Sequence, residues 1–365
     1  MSFEKVGFIG LGLIGGSIAK TIKKKYPDTT LIATARHADT IQEAHDFGTI
    51  ENDTLLPLSD FADCDYIFLC TPVQQNLIYL KELKSVIKPS CIITDVGSVK
   101  SDIHKAVTAL DIEANFIGGH PMCGSEKTGF FNATEYLLEN AYYIITPTAK
   151  TTPAQLEEFH ALVKSLGSVP MILDYEKHDF ATAAISHLPH IIASSLVNLV
   201  SDLDDEQETM RTIAAGGFKD ITRIASSSPV MWQNICLSNQ EQILKLTDCY
   251  IHALQNIRSS VADAKSDDII SFFQSAKDYR DSITTPVRGS LQKNYSVYCD
   301  LVDEAGAIAT LATIMASHNI SIKNIGILHN REYEDGVLQI EFYEEDALEK
   351  AVKLMEDNHY VVHRR

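Results

Sequence analysis

Short apolar runs alternate with longer amphipathic segments through the first half of the chain. The runs occupy residues 5–9, 30–35, 66–70, 91–94 and 141–146. Helical segments are predicted between them, among others at 18–25 and at about 153–166. Because short buried strands that alternate with helices are typical of βαβ units, the pattern predicts an α/β domain with a doubly wound parallel sheet over residues 1–173.

The pattern changes at about residue 177, where strand-like runs stop. Long helical segments are predicted at 178–203, 206–224, 229–260 and 266–282. They indicate an all-α domain over residues 174–283, of the kind that forms a dimer core and closes a substrate cleft. Residues 284–295, with Pro286 and Gly289, form a predicted linker. The remaining segment, 296–365, shows the order βαββαβ, which predicts a small α+β domain.

Composition narrows the function classes. The chain has 365 residues and a net charge of −18, which does not favour nucleic-acid binding. Seven cysteines without a CxxC pair indicate free thiols and a cytoplasmic location. The N-terminus leads directly into a strand, so no signal peptide is expected. No apolar run is judged long enough to span a bilayer, and no membrane partner is expected.

The first strand runs into Gly10-Leu-Gly-Leu-Ile-Gly15 and a helix, which is a GxGxxG motif in its required context. Gly10 makes the tight turn, Gly12 allows a pyrophosphate to approach, and Gly15 allows close helix–strand packing. The helix N-terminus adds N–H donors and partial positive charge. The motif therefore predicts a Rossmann domain that binds a dinucleotide, with Leu13 and Ile14 at the same turn.

The end of the second strand departs from the NAD pattern. An Asp or Glu usually binds the ribose there, but this chain has Ala35 followed by Arg36. An arginine can accept the 2′-phosphate of NADP, and it can also be a solvated loop charge. NAD is the expected cofactor, and NADP stays possible.

Two further stretches follow strands at the expected ligand-binding edge of the sheet. Thr71-Pro72 follows the third strand, and Ser98 and Lys100 follow the fourth. The last two can cap the next helix or face the nicotinamide and the substrate. His120 lies in Gly118-Gly-His-Pro121, a predicted turn that holds one imidazole in place for proton transfer; the same histidine can also only complete a buried turn.

The helical domain contributes two more candidates. His187 and His190 are three residues apart, but no acidic residue or cysteine joins them, so no metal site is predicted. Lys219 and Arg223 are four apart, near Gly216-Gly217, and can form an anion site. Ordinary exposed cations are the alternative, more so for Lys219.

These motifs, in this order, resemble the prephenate dehydrogenase family in its form with a C-terminal ACT domain. The resemblance covers the whole chain. It rests on four stretches: Asp95-Val-Gly-Ser-Val-Lys100, Gly119-His-Pro-Met-Cys-Gly-Ser-Glu126, Ser186-His-Leu-Pro-His190 and Gly217-Phe-Lys-Asp-Ile-Thr-Arg223.

The resemblance implies oxidative decarboxylation of prephenate to 4-hydroxyphenylpyruvate in tyrosine biosynthesis. It assigns His120 as the base that accepts the hydroxyl proton, Ser98 as the group that orients the hydroxyl, and Arg223 as the carboxylate ligand. The other implied substrate contacts are Ser125, Glu126, His190 and Lys219. It also implies feedback inhibition by L-tyrosine at the ACT domain and a homodimer. In the loop 303–306, Ala305 stands where a proline commonly precedes the glycine, which weakens the tyrosine site.

Three alternatives stay open. Arogenate can replace prephenate as the substrate. A non-catalytic regulator that binds NAD and an amino acid is disfavoured by the presence of His120, Ser98 and Arg223. Another dehydrogenase with a helical domain, acting on hydroxy acids or imines, would use a lysine such as Lys219 as its acid, but lacks the Gly-His-Pro-Met stretch.

Overall fold

The computed structural model describes residues 3–124, 127–283, 295–300, 306–328 and 337–363. The chain divides into two compact units, Met1–Asp263 and Ala264–Arg365. The predicted linker 284–295 lies outside the described residues except for Tyr295. The break at Asp263 places the last helix that was expected in the helical domain, residues 266–282, in the second unit.

The first unit begins with a parallel sheet in the order β2-β1-β3-β4. Its strands are β1 (Lys5–Ile9), β2 (Thr30–Thr34), β3 (Tyr66–Leu69) and β4 (Ile92–Asp95). The helices between and after them are α1 (Leu13–Lys25), α2 (Ala38–Asp46), α3 (Val73–Leu83) and α4 (Ser101–Ala109). Apolar side chains on the two sides of this sheet are buried in separate clusters, one around Phe8 and Phe68 and the other around Ile67 and Ile93. The Rossmann prediction is confirmed.

A second sheet, in the order β5-β6-β7, continues this domain. Its elements are β5 (Ile117–Pro121), β6 (Tyr142–Pro147), α5 (Pro153–Ser165) and β7 (Val169–Ile172). The prediction was a parallel sheet throughout this domain. β5 pairs antiparallel with β6, so this second sheet is mixed. His120 lies within β5, opposite Ile144, so its placement in a turn was wrong. The bridge between Ile93 and Phe116 connects the two sheets.

The helical part confirms the predicted class and changes its segmentation. The helices are α6 (Tyr175–Thr182), α7 (Leu188–Leu203), α8 (Thr209–Ile213), α9 (Gly216–Thr222), α10 (Pro229–Ser238) and α11 (Gln240–Ala262). A π-helical turn, Ala183–His187, joins α6 to α7. The predicted helix 206–224 breaks before Gly216 and Gly217, which have low helix propensity, and ends in a 3₁₀ turn, Arg223–Ser226.

One stretch contradicts the expectation about membrane spans. Tyr175–Leu203 is long and apolar enough to cross a membrane, by length and composition only, and 17% of its most apolar window is buried. Exposed apolar side chains continue onto the neighbouring helices, for example Ile213, Leu237 and Leu244.

The second unit contains α12 (Ser266–Ser282) and the expected small α+β domain. Its elements are β8 (Tyr295–Asp300), α13 (Ala307–Ser317), β9 (Ile322–Leu328), β10 (Val337–Phe342), α14 (Glu345–Asp357) and β11 (Val362–His363). The sheet order β11-β8-β10-β9 is antiparallel at each pairing. The order βαββαβ is therefore confirmed.

Candidate active site

The glycine turn after β1 forms a space for an anion. Gly10 has φ +92°, and a Cβ there would lie 2.8 Å from the Cys70 carbonyl oxygen. A Cβ on Gly15 would lie 2.6 Å from the Gly10 carbonyl oxygen. A Cβ on Gly12 would meet no protein atom within 4 Å. Gly12 precedes α1 without a side-chain cap, and the first turn, which contains Leu13 and Ile14, has no acidic residue. An uncapped helix N-terminus beside open space is suited to a pyrophosphate.

The other predicted cofactor residues lie at the same edge of the parallel sheet. Thr71 and Pro72 follow β3, and the Thr71 hydroxyl donates to Asn76 Oδ1. Ala35 packs against the core, and Arg36 is exposed between β2 and α2. No acidic side chain stands at that position.

Two glycines allow β5 to approach its neighbours closely. A Cβ on Gly118 would lie 2.2 Å from Thr146 Oγ1, and one on Gly119 would lie 2.7 Å from the Asp95 carbonyl oxygen. The Gly119 N–H donates to Asp95 Oδ1 at 3.3 Å. Asp95 therefore ties the strand of His120 to the end of β4, where the Ser98 loop begins.

Lys100 has a different place from the one expected. Its ammonium group bonds Asp95 Oδ2, and both side chains are fully buried. Burial lowers the pKa of Lys100, and the Asp95 carboxylate opposes this shift. The Lys100 side chain makes no capping hydrogen bond to α4; it belongs to a buried ion pair with Asp95 that supports the loop.

His120 has a partner that the sequence analysis missed. His120 Nδ1 lies 2.8 Å from His178 Nε2 on α6. His178 Nδ1 lies 2.8 Å from Asp179 Oδ1. The Asp179 carboxylate also accepts the backbone N–H groups of Lys100 and Ser101, each at 2.7 Å. The adjacent His178 and Asp179 on one helix were the available signal, but their pairing with His120 crosses 58 positions and no local pattern predicts it.

His187 and His190 pack around the only tryptophan of the chain, Trp232. The His190 ring stacks on it with centroids 3.8 Å apart, and His187 meets its edge. His190 Nδ1 donates to the Ser186 carbonyl oxygen at 2.8 Å. Asn239 Nδ2 lies 2.9 Å from the Asp179 carbonyl oxygen and 3.2 Å from His187 Nδ1, which connects this cluster to the His120 partners.

Burial sets the protonation of the cluster. It lowers the pKa of His120 well below 6.5, with further lowering by His178, Lys100 and His187. It lowers the pKa of His187 to about 4. Both imidazoles are therefore neutral at pH 7, and a neutral imidazole can accept a proton.

Lys219 lies on α9, and Arg223 begins the 3₁₀ turn that follows this helix. Both are exposed, and the 3₁₀ turn that begins with Arg223 packs against α7, the helix of His190. Ser125 and Glu126 lie outside the described residues. Within the described part of the chain, no group of three or more His, Cys, Asp or Glu could hold a metal ion.

Comparisons with known proteins cover almost the whole chain. Residues 18–172 match the family model "Prephenate dehydrogenase, nucleotide-binding domain", and residues 174–275 match "Prephenate dehydrogenase, dimerization domain". Prephenate dehydrogenase of Bacillus subtilis is 39% identical over 95% of this chain and 94% of its own length. Prephenate dehydrogenase of A. aeolicus, solved with hydroxyphenyl propionate and NAD+, is 28% identical with a TM-score of 0.73, covering 78% of this chain and 99% of that one. Arogenate dehydrogenase of Synechocystis is 31% identical with a TM-score of 0.70, covering 77% and 100%.

Proposed function

The chain belongs to the prephenate dehydrogenase family, and from this premise we propose how its residues carry out the oxidative decarboxylation of prephenate. In that reaction the ring carbon that bears the hydroxyl loses a hydride to the cofactor, and the hydroxyl gives its proton to a base. The bond to the ring carboxylate then breaks, its electron pair completes the aromatic ring, and the phenolate oxygen takes a proton back. The products are 4-hydroxyphenylpyruvate, carbon dioxide and the reduced cofactor. Formation of the aromatic ring makes the overall step strongly downhill.

The glycine turn fits NAD. The open space at Gly12 and the uncapped first turn of α1 would hold the pyrophosphate. When bound, NAD supplies the hydride acceptor. Ala35 stands where a ribose-binding carboxylate would otherwise be, and the exposed Arg36 follows it, which supports use of NADP as a second cofactor.

His120 is assigned as the base. The observation that carries this role is a neutral, half-buried imidazole that is fixed on strand β5. Among the residues that the structure describes, its hydrogen-bond partner is His178, which it contacts through Nδ1. Its Nε2 is then left to accept the hydroxyl proton. General-base help of this kind typically contributes ~10²–10⁴ in rate. Ser98, in the loop that Asp95 ties to β5, is assigned to orient the hydroxyl between the base and the nicotinamide.

The substrate has two carboxylates, and the helical side offers the cations. Arg223 is assigned to one carboxylate because a guanidinium can bind it in a bidentate manner. His190, held by Trp232 and Ser186, and Lys219 are assigned to secondary contacts, as are Ser125 and Glu126. Arogenate dehydrogenase of Synechocystis covers 77% of this chain, and prephenate dehydrogenase of A. aeolicus covers 78%. Arogenate is therefore the second candidate substrate.

The test of the base is His120→Asn, which keeps a polar side chain of similar shape. We expect turnover to fall by ~10²-fold or more, in line with general-base catalysis, while NAD binding and the melting temperature stay near those of wild type. His160→Asn, on α5 and outside the site, is the matched control and should change none of these. Near-normal turnover of His120→Asn would remove His120 from this role.

The exposed apolar face supports a homodimer. It includes Leu199, Leu203, Ile213 and Leu244 and lies in the segment that matches the dimerization model. Pairing with a second copy would bury this face, and it explains the apolar stretch Tyr175–Leu203 without a membrane. Light scattering after size exclusion should give twice the chain mass of 40.4 kDa; a monomer would contradict the proposal.

The βαββαβ domain is proposed as the regulatory part. Its antiparallel sheet and two helices agree with an ACT-type unit, and tyrosine is the proposed inhibitor because it is the end product of this chemistry. Residues 301–305, which include most of the expected ligand loop, lie outside the described residues. A cytoplasmic location is proposed because the enzyme uses a soluble cofactor and because the structure shows its seven cysteines as free thiols.

A further inference from the structure

We infer that His178 and Asp179 are positioning residues that hold His120 in the one tautomer able to accept the substrate proton. The inference rests on the proposed function, in which His120 Nε2 is the acceptor. Neither residue is expected to touch the substrate or the cofactor. Asp179 acts on His178, and His178 acts on His120.

The direction of each hydrogen bond follows from the last member of the chain. The ionised Asp179 carboxylate can only accept, so His178 Nδ1 must carry the proton of the 2.8 Å contact with Oδ1. In the arrangement we infer, Nδ1 carries the only ring proton of His178, so its Nε2 is bare and accepts. His120 Nδ1, 2.8 Å from that nitrogen, must therefore donate. This leaves His120 Nε2 without a proton and with its lone pair available.

Asp179 is held in the ionised form and in one place. Burial alone would raise its pKa, but hydrogen bonds from His178, Ser101 and Lys100 outweigh burial, and the pKa lies below the usual range. The two backbone N–H groups belong to the start of α4, where the helix dipole also favours an anion. The Asp179 carbonyl oxygen accepts from Asn239, so both ends of the residue are fixed.

We expect Asp179 to offset part of the positive charge that His120 gains during the reaction. His120 becomes positively charged when it takes the proton, and the charged or titratable groups that act on it are His178 from α6, His187 before α7, and Lys100. All three disfavour a cation. Asp179, reached through His178, is the negative charge in this chain of contacts. An aspartate with this role in a serine protease contributes about 10⁴ to turnover.

Four variants test the inference. Asp179→Asn should lower turnover by at least about tenfold, because an amide no longer enforces the proton on His178 Nδ1. His178→Phe should do the same. His178→Gln should retain most activity, because its amide oxygen can accept from His120 and its NH₂ can donate to Asp179. Asp102→Asn, which removes a carboxylate from the first turn of α4 outside the chain of bonds, is the control and should leave turnover unchanged.

The readout that separates positioning from mere folding is the tautomer itself. Nitrogen-15 spectra of histidine-labelled full-length protein should show His120 with Nδ1 protonated and Nε2 bare in wild type and His178→Gln, and a mixture in His178→Phe. Protonated Nε2 in wild type, or equal turnover of the Phe and Gln variants, would overturn the inference. The spectra need no turnover, so an inactive wild type with the expected tautomer would count against the proposed function alone.

Discussion

Gly12→Ala should separate cofactor binding from folding. A Cβ on Gly12 meets no protein atom within 4 Å, and the backbone of Gly12 (φ −81°, ψ −156°) is extended and open to any residue. The substitution should therefore leave the melting temperature unchanged. The new methyl group would instead stand in the space assigned to the pyrophosphate.

The magnitude follows from the cost of forcing an extra methyl group into a filled space, about 1–3 kcal/mol. Since 1.4 kcal/mol corresponds to a factor of ten, the affinity for NAD should fall roughly 5- to 150-fold. Titration calorimetry with NAD and a thermal melt of the same sample measure both quantities.

Two further glycines serve as matched comparisons. Gly326→Ala on β9 also meets no protein atom, and it should change neither stability nor NAD binding. Gly15→Ala would place its Cβ 2.6 Å from a carbonyl oxygen and 2.9 Å from Cys70 Cβ, so it should lower the melting temperature. Unchanged NAD affinity in Gly12→Ala would refute the placement of the pyrophosphate.

Three other outcomes are expected. Lys100→Met leaves Asp95 buried without its cation and should lower the free energy of unfolding in urea by about 3–5 kcal/mol. The double variant Asp95→Asn/Lys100→Met should recover part of that loss. A loss below about 1 kcal/mol in Lys100→Met would contradict the burial argument. Arg223→Ala should raise KM for prephenate by at least about tenfold and leave KM for NAD unchanged, whereas equal effects on both would indicate a structural arginine. Removal of the chain after Gly289 should abolish inhibition by tyrosine in steady-state assays, and persistent inhibition would place tyrosine at the active site.

The fold could be predicted from the sequence where local pattern decides it. The alternation of apolar runs and helices gave the parallel strands, and the spacing of Gly10, Gly12 and Gly15 located the nucleotide turn. The βαββαβ order of the last domain followed from the same periodicity. These features depend on residues close in sequence, so one chain is enough to find them.

The errors and omissions share a physical cause, which is dependence on distant residues. Gly118-Gly119 suggested a turn, but those glycines let β5 lie against β6 and the end of β4. His178 and Asp179 could not be identified because their role depends on His120 and the start of α4. Lys100 was a candidate ligand group until its burial with Asp95 showed an internal pair.

The most direct test of the central claim is product analysis of the wild-type enzyme with prephenate and NAD. We predict one 4-hydroxyphenylpyruvate and one carbon dioxide for each NADH formed. We also predict a higher kcat/KM with prephenate than with arogenate. The same assay with NADP tests whether Arg36 accepts a 2′-phosphate. Absence of NADH formation with either substrate, in a protein that binds NAD, would contradict the assignment of this chain as a prephenate dehydrogenase.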